Sequence, residues 1–483
     1  MILTTKDARD MSSYLCLVLV CMMVEYELRF AISWRFIKAE IVVRNSLFRA
    51  MVIEDWKNCC ISKKFPSYRN SRVITAFGWL VSKREDDEAE GLWRIRDTLY
   101  DFTNFIDKHP GGSFWLKETK GTDITELFEA HHLSTMPASL IDSYKVREAM
   151  NERIYTLTMH ENGFYQTLKR RVRDKLPTID VKRKSNSDNI HLALLSSTFL
   201  SVVLTARWNS LLLLILAGTL LCWTVIAAHN YFHRRDNWRM YTFNLAMLNV
   251  CGWRISHAMS HHMYPNSYWD LELSMFEPFL CWIPNEHMKT LTLRYMSFLI
   301  EPLVYAMTFL LDYLTRISYS IRCTNIMYWH DLLTFTIPLS MYLCSDLTLF
   351  MCLRQWLIII MVASFAFCVI GLNAAHHDPE IYHEGDAVRE DRDWGLFQVD
   401  TIIDRSDLKS SQFLVLTHFG DHCLHHLFPT LDHGILPELY PIFYETLDEF
   451  KGQLREYNHF QHILGQHRQL LRVTSNLKPP GLM

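Results

Sequence analysis

Two apolar runs, residues 190–206 and 211–228, lie end to end with only Arg207-Trp208-Asn209-Ser210 between them. Each is near the lower length that crosses a bilayer as a helix, and the short polar break allows a reversal and little else. The pair predicts a helical hairpin and rules out a wholly soluble fold. Three more apolar stretches follow at 295–314, 332–344 and 356–372, the last two joined by a turn around Ser345-Asp346. The first of these carries Glu301-Pro302, a charge beside a helix breaker, which is costly in lipid. It is therefore expected to be interfacial or re-entrant, leaving four spans in two hairpins. Parity agrees: histidines before and after these stretches share one site only if an even number of spans separates them.

The rest of the chain divides around this block. Residues 1–63 include a short apolar run at 13–24 and receive no function. Residues 72–155 are polar and globular in composition. Residues 156–189 form a linker containing Lys169, Arg170, Arg171, Arg173, Lys175, Lys182, Arg183 and Lys184, and a basic approach to the first span places the amino-terminal side in the cytosol. Residues 190–450 hold the apolar hairpins, and 451–483 form a tail. The formal net charge of −3 gives no basic field for nucleic acid. With 49% hydrophobic and 21% charged residues, the chain has ample surface to bury and is not disordered. The cysteines form no C-x-x-C pair, and Cys222, Cys344, Cys352 and Cys368 fall in or beside apolar stretches, so reduced thiols are expected. Cys423, between histidines, reads as a packing residue.

Two segments of the polar region carry chemistry: L-Y-D-F-T-N-F-I-D-K-H-P-G-G at 99–112 and G-T-D-I-T-E-L-F-E-A-H-H at 121–132. A histidine followed at once by Pro-Gly-Gly occupies a sharp turn whose bare backbone lets a flat cofactor approach. A second histidine past a short amphipathic segment can ligate the other face of an iron porphyrin. Two imidazoles fill both axial positions, which suits electron transfer rather than oxygen chemistry. With Trp93, Tyr100-Asp101, Phe105, H-P-G-G, Asp123, Thr125 and Phe128 in order, the segment resembles cytochrome b5. The resemblance implies a small α+β domain that binds haem b. Its ligands are His109 and one of the adjacent His131 and His132; the spacing used in fused lipid desaturases selects His132.

Three histidine groups follow. His229 and His233 lie in H-N-Y-F-H, His257, His261 and His262 in H-A-M-S-H-H, and His422, His425 and His426 in H-C-L-H-H. Spacings of three and four put imidazoles on one helix face. Imidazole suits iron, zinc or copper, and so many ligands are too many for one metal but right for two. Any one group alone is an ordinary helix face more often than a site; three in this order around apolar hairpins are not. The arrangement resembles the membrane fatty acid desaturase and hydroxylase superfamily over residues 190–450, which implies two non-haem iron ions at the cytosolic membrane face. Asn373-Ala-Ala-His376-His377 resembles a further element of that superfamily, implying His377 as a ligand, with His376 as the alternative, and Asn373 orienting water; as a plain structural residue Asn373 is a helix C-cap. The departures are His422, where relatives that act between a double bond and the carboxyl end usually have Gln, and an extra residue between the first histidines of the second group.

Taken together, the order resembles cytochrome b5-fused membrane desaturases: a multidomain chain with a small α+β haem domain, then an all-α integral membrane domain with a cytosolic histidine cap. The resemblance implies an endoplasmic reticulum protein that takes electrons through its own haem and desaturates a lipid acyl chain with O2. No G-x-G-x-x-G follows a strand, so an external NAD(P)H-dependent cytochrome b5 reductase is the expected donor. Hydroxylation on the same scaffold and a haem protein with an inactive desaturase half are the alternatives. His160, His287, His330, His383, His433, His459, His462 and His467 read as surface or capping residues, and His418 stands open as a neighbour of the metal shell. Of Asp236, Asp270, Asp400 and Asp421, Asp421 is the expected acceptor of a ligand N–H.

Overall fold

A computed structural model of the chain describes residues 61–481, apart from 72–73, 135–137, 181, 278, 287, 323–325, 373–374 and 410. The apolar run at 13–24, Asn373 and His287 lie outside the described residues. A three-stranded antiparallel sheet, β1 (Trp93–Ile95), β2 (Thr98–Tyr100) and β3 (Lys145–Glu148), anchors the amino-terminal unit in the order β1-β2-β3. Trp93, Ile95, Phe102, Leu116 and Ile124 form its own small core. The buried Trp93 indole donates Nε1–H to the Leu116 carbonyl at 3.0 Å, so its one polar atom is satisfied.

Beyond it the chain is nearly all helix. Lys182–Trp208 and Leu211–His229 form the first pair, turning at Asn209 in the left-handed region at φ 46°. The 19 residues of Leu211–His229 rise about 28 Å, close to the thickness of a bilayer's hydrocarbon core. Leu291–Arg322 and Leu349–Gly371 complete four helices long and apolar enough to cross a membrane.

Membership of that set differs from the sequence expectation. The stretch at 295–314 belongs to one continuous helix of 32 residues with Pro302 inside it, whereas 332–344 holds a 3-10 turn, Trp329–Phe335, and a helix of only 8 residues, Thr336–Leu343. The reason lies far along the chain. Glu301 is buried against the carboxy-terminal helix His459–Leu471, where its Oε2 is 2.9 Å from His467 Nε2. A carboxylate paired against protein does not carry the cost of one facing lipid. Two long helices still separate the second and third histidine groups, so the parity argument holds with a different pair. The helices Leu211–His229 and Leu349–Gly371 pack directly on each other. At Gly218 a Cβ would lie 2.6 Å from Val362 Cβ and 3.0 Å from the Ile359 carbonyl oxygen, so only glycine admits this approach. Among the described residues all cysteines are free thiols, and all but Cys344 are buried.

Candidate functional site

His109 leaves the 3-10 turn Thr103–Lys108 in extended conformation and folds back over the following glycines. A Cβ at Gly111 would sit 2.8 Å from His109 Cε1, and Gly112 has φ of +99°. Gly111 is thus required by the ring's position and Gly112 by its backbone conformation. His109 Nδ1–H donates to the Gly112 carbonyl at 2.9 Å, and His132 Nδ1–H donates to the Phe128 carbonyl at 2.8 Å. Because a carbonyl only accepts, each ring keeps its Nε2 lone pair free. The two rings face each other with centroids 6.0 Å apart, room for one metal atom bonded to both at about 2 Å each. The residues fit a bis-histidine haem. His131 is turned elsewhere: its ring packs on Trp115 at 5.2 Å and on His233 at 5.6 Å.

The remaining histidines converge from four separate elements. His229 ends the second long helix, with His233 in the turn beyond it. His257 and His261 lie on a π-helix, Arg254–His261, and His262 caps it. His422, His425 and His426 occupy the helix His422–Leu427, and His376 follows the fourth long helix. The π-helix accommodates the additional residue in H-A-M-S-H-H. Residues five apart on an α-helix point about 140° away from each other. Here His262 N–H donates to the His257 carbonyl at 2.8 Å, the wider i to i+5 turn, and the His257 ring lies 5.3 Å from His261 and 4.5 Å from His262.

Two groups result, both buried. Ring nitrogens of His229, His233, His257, His262 and His425 lie within 4.8 Å of one another, and so do those of His261, His376, His422 and His426. Within the first, His257 Nε2 is 2.7 Å from His229 Nε2 and 3.0 Å from His262 Nε2. Within the second, His376 Nε2 is 2.9 Å from His422 Nε2 and 3.2 Å from His426 Nε2. Two nitrogens bound at right angles to one metal are about 3 Å apart. Burial, reinforced by neighbouring imidazoles, pushes His262, His376, His422, His425 and His426 well below the ordinary histidine range, so these rings are neutral and keep their lone pairs. His233 leaves both ring nitrogens without a protein partner. A buried polar atom so left costs about 1–3 kcal/mol, a cost that a metal–ligand bond removes. All-imidazole groups of this kind fit two borderline transition metals such as iron.

Of the two adjacent candidates, His377 stacks on Trp282 with ring centroids 4.0 Å apart and lies in neither group, whereas its neighbour His376 lies in the second. The Thr401 carbonyl holds His376 Nδ1 at 3.0 Å and aims Nε2 at the cluster. His376→Ala is expected to weaken metal retention by at least about tenfold and His377→Ala to leave it unchanged, read as metal per purified chain.

Carboxylates and amides behind the rings fix their orientation. His257 Nδ1 lies 3.0 Å from Glu272 Oε1, His261 Nδ1 2.9 Å from Asp270 Oδ2, and His426 Nδ1 3.0 Å from Gln398 Oε1. Burial alone would lower the His261 imidazole, but the Asp270 and Glu272 carboxylates raise it to about 9. Asp421, the expected acceptor, instead takes the Tyr440 hydroxyl; Asp236 pairs with Arg254 and Asp400 with Arg389. His433, expected as a surface or capping residue, is buried with its ring 4.5 Å from His425 and Nδ1 2.9 Å from Asn230 Oδ1. His330, His383 and His462 are also buried, away from both groups. His418 turns to the Thr417 hydroxyl at 2.8 Å and joins neither group. Glu272 and Gln398 carry no sequence signal beyond polarity, because two separate short helices, Leu271–Met275 and Trp394–Asp400, bring them in.

The amino-terminal unit is clamped onto this cluster. Tyr68 donates its hydroxyl to the Tyr268 carbonyl at 2.8 Å, and Trp79 Nε1–H donates to the Trp269 carbonyl at 3.2 Å. Between them Lys83 is buried, 2.8 Å from Asp87 and 2.6 Å from the Tyr155 hydroxyl, with its ammonium 5.2 Å from the Tyr264 ring and 5.5 Å from the Trp269 ring. A lysine is stable so deep only when both its charge and its protons are matched.

Comparison with known proteins follows the same division. The fatty acid desaturase family model matches residues 206–458, and the cytochrome b5-like heme/steroid binding domain matches residues 80–150. A cytochrome b5-related protein of Drosophila melanogaster is 66% identical over 433 residues, spanning 89% of this chain and 99% of that protein. An acyl-lipid (8-3)-desaturase of Mortierella alpina is 22% identical over 82% of this chain and 96% of its own length. A probable Delta(5) fatty acid desaturase C of Dictyostelium discoideum is 23% identical over 77% of this chain and 90% of its own. No solved structure matches the chain.

Proposed function

The chain belongs to the fatty acid desaturase family, with a cytochrome b5-like domain fused ahead of it, and from that premise we propose that it desaturates a lipid acyl chain, using O2 and electrons drawn through its own haem. The observation that carries this reading is the placement of two adjoining all-histidine groups directly against the unit that holds the facing His109 and His132. His109 and His132 would hold haem b. His229, His233, His257, His262 and His425 would hold one iron, and His261, His376, His422 and His426 the other. Two non-haem irons supply the O2-dependent oxidation of unactivated C–H bonds. The protein's own residues keep that chemistry dry and fixed: every ring of the two groups is buried, and Asp270, Glu272, Gln398 and the Thr401 carbonyl set ring orientation.

The four long helices fit a membrane protein. The basic linker ahead of the first supports placing the haem unit and the histidine cap in the cytosol, at the endoplasmic reticulum, where an NAD(P)H-dependent cytochrome b5 reductase is the donor. Two measurements on the full chain test the reading. Purified protein is expected to hold about one haem and two non-haem irons, and its expression in yeast is expected to add lipids with a new double bond. Lipids carrying a new hydroxyl would convert the assignment to a hydroxylase. Haem without other iron would leave an electron carrier on a membrane scaffold.

A further inference from the structure

Two adjacent histidines end the haem-binding segment, and the structure turns them in opposite directions. His132 looks back at His109 and packs on Phe128 at 4.6 Å between ring centroids. His131 looks forward. Its ring lies 5.6 Å from His233, which itself lies 4.5 Å from His262 and 5.1 Å from His425 in the first metal group. The Leu127 carbonyl holds His131 Nδ1 at 3.0 Å, fixing the ring, while Nε2 is buried with no protein partner.

The surroundings of His131 are equally ordered. Trp115 packs on it at 5.2 Å, and the Arg254 guanidinium lies 5.1 Å over the Trp115 ring. Arg254 donates to the Phe232 carbonyl at 2.8 Å, to the Arg234 carbonyl at 2.7 Å and to Asp236 at 2.6 Å, so the chain flanking His233 is tied to the same spot. A buried, unpartnered nitrogen costs about 1–3 kcal/mol. Holding an aromatic ring rigidly between two metal-binding sets, where an aliphatic side chain would pack without that cost, calls for a role.

We propose that His131 is the bridge through which electrons pass from the haem to the histidine-held metals. This rests on the reading that the haem feeds those metals, and it names the contact used. One peptide link joins His132 to His131, and one ring contact joins His131 to His233; no other residue of the haem unit need intervene. In each transfer a ferrous haem iron gives up one electron and becomes ferric, and a ferric non-haem iron takes it and becomes ferrous. No bond forms or breaks, and His131 neither gains nor loses a proton.

The test uses the full chain in detergent, loaded with haem and iron, under anaerobic conditions. A flash-reduced flavin reduces the haem, and its absorbance reports the electron's departure. His131→Ala is expected to slow haem reoxidation by about tenfold or more, with haem spectrum, haem midpoint potential and iron content unchanged. His131→Phe, which refills the gap with a packed ring, is expected to restore the rate to within a few-fold of the parent. If His131→Ala fails to hold both cofactors, His131→Val is read in its place. An unchanged rate in the variant lacking the ring overturns the proposal, as does loss of haem or iron in both aliphatic variants, which makes His131 a holding residue. Reduced haem that stays reduced in the parent protein, with both irons present, overturns the desaturase reading itself and so is distinct from failure of the bridge.

Discussion

Replacing His261 with alanine is expected to remove lipid oxidation while the haem spectrum stays as it was. His261 contributes one of four rings to its group, beside His376, His422 and His426. Altering a residue that merely orients a ligand costs ten- to hundredfold in metal affinity or activity; removing the ligand is expected to cost at least about a hundredfold in product. The fold should survive. Asp270 loses its contact with His261 Nδ1 but keeps its other partners, accepting from Asn266 N–H at 2.9 Å and from Glu272 N–H at 3.0 Å at the start of Leu271–Met275. Product formation by this variant at the parent rate would refute the assignment of the histidine groups to metal.

His109→Ala should give the opposite signature. The ring is one of the two that face across the cradle and would hold the haem, and Gly111 and Gly112 leave nothing to replace it. The characteristic spectrum of the reduced haem is expected to vanish, product with it, and the non-haem iron to remain. Stability falls too, because a ligand that binds only the folded state contributes about 4 kcal/mol when present at a thousandfold over its dissociation constant. The variant is therefore expected to melt at lower temperature, by an amount that added haem does not recover. An unaltered reduced spectrum would remove His109 from the haem site.

The chemistry of this chain was written locally and its architecture was not. His109 with its two glycines, and the three histidine groups, are short motifs legible by their spacing, and the structure brings those rings to three places, the cradle facing His132 and two adjoining groups. Glu301-Pro302 misled because its compensation, His467, lies 166 residues further on; no local pattern reveals a buried partner at that distance. The choice between His376 and His377 turned on one ring direction at the end of the fourth long helix, which a Trp282 stack and the Thr401 carbonyl decide. Asp270 was within view as one of four carboxylates, whereas the preferred Asp421 is occupied by Tyr440. Orientation came from contacts outside the motifs themselves, from Asp270 nine residues after His261 to Trp282 far before His377.

The Arg254–His261 segment also bears on how motif length should be judged across relatives. An inserted amino acid ordinarily rotates everything downstream and scatters a binding set. Here one loose coil of backbone takes up the extra residue within a single turn, and the rings of His257 and His262 still reach the same group. A gap of three residues between His257 and His261 is thus compatible with buried rings that all join the histidine groups, and slack in the helix is what accommodates it.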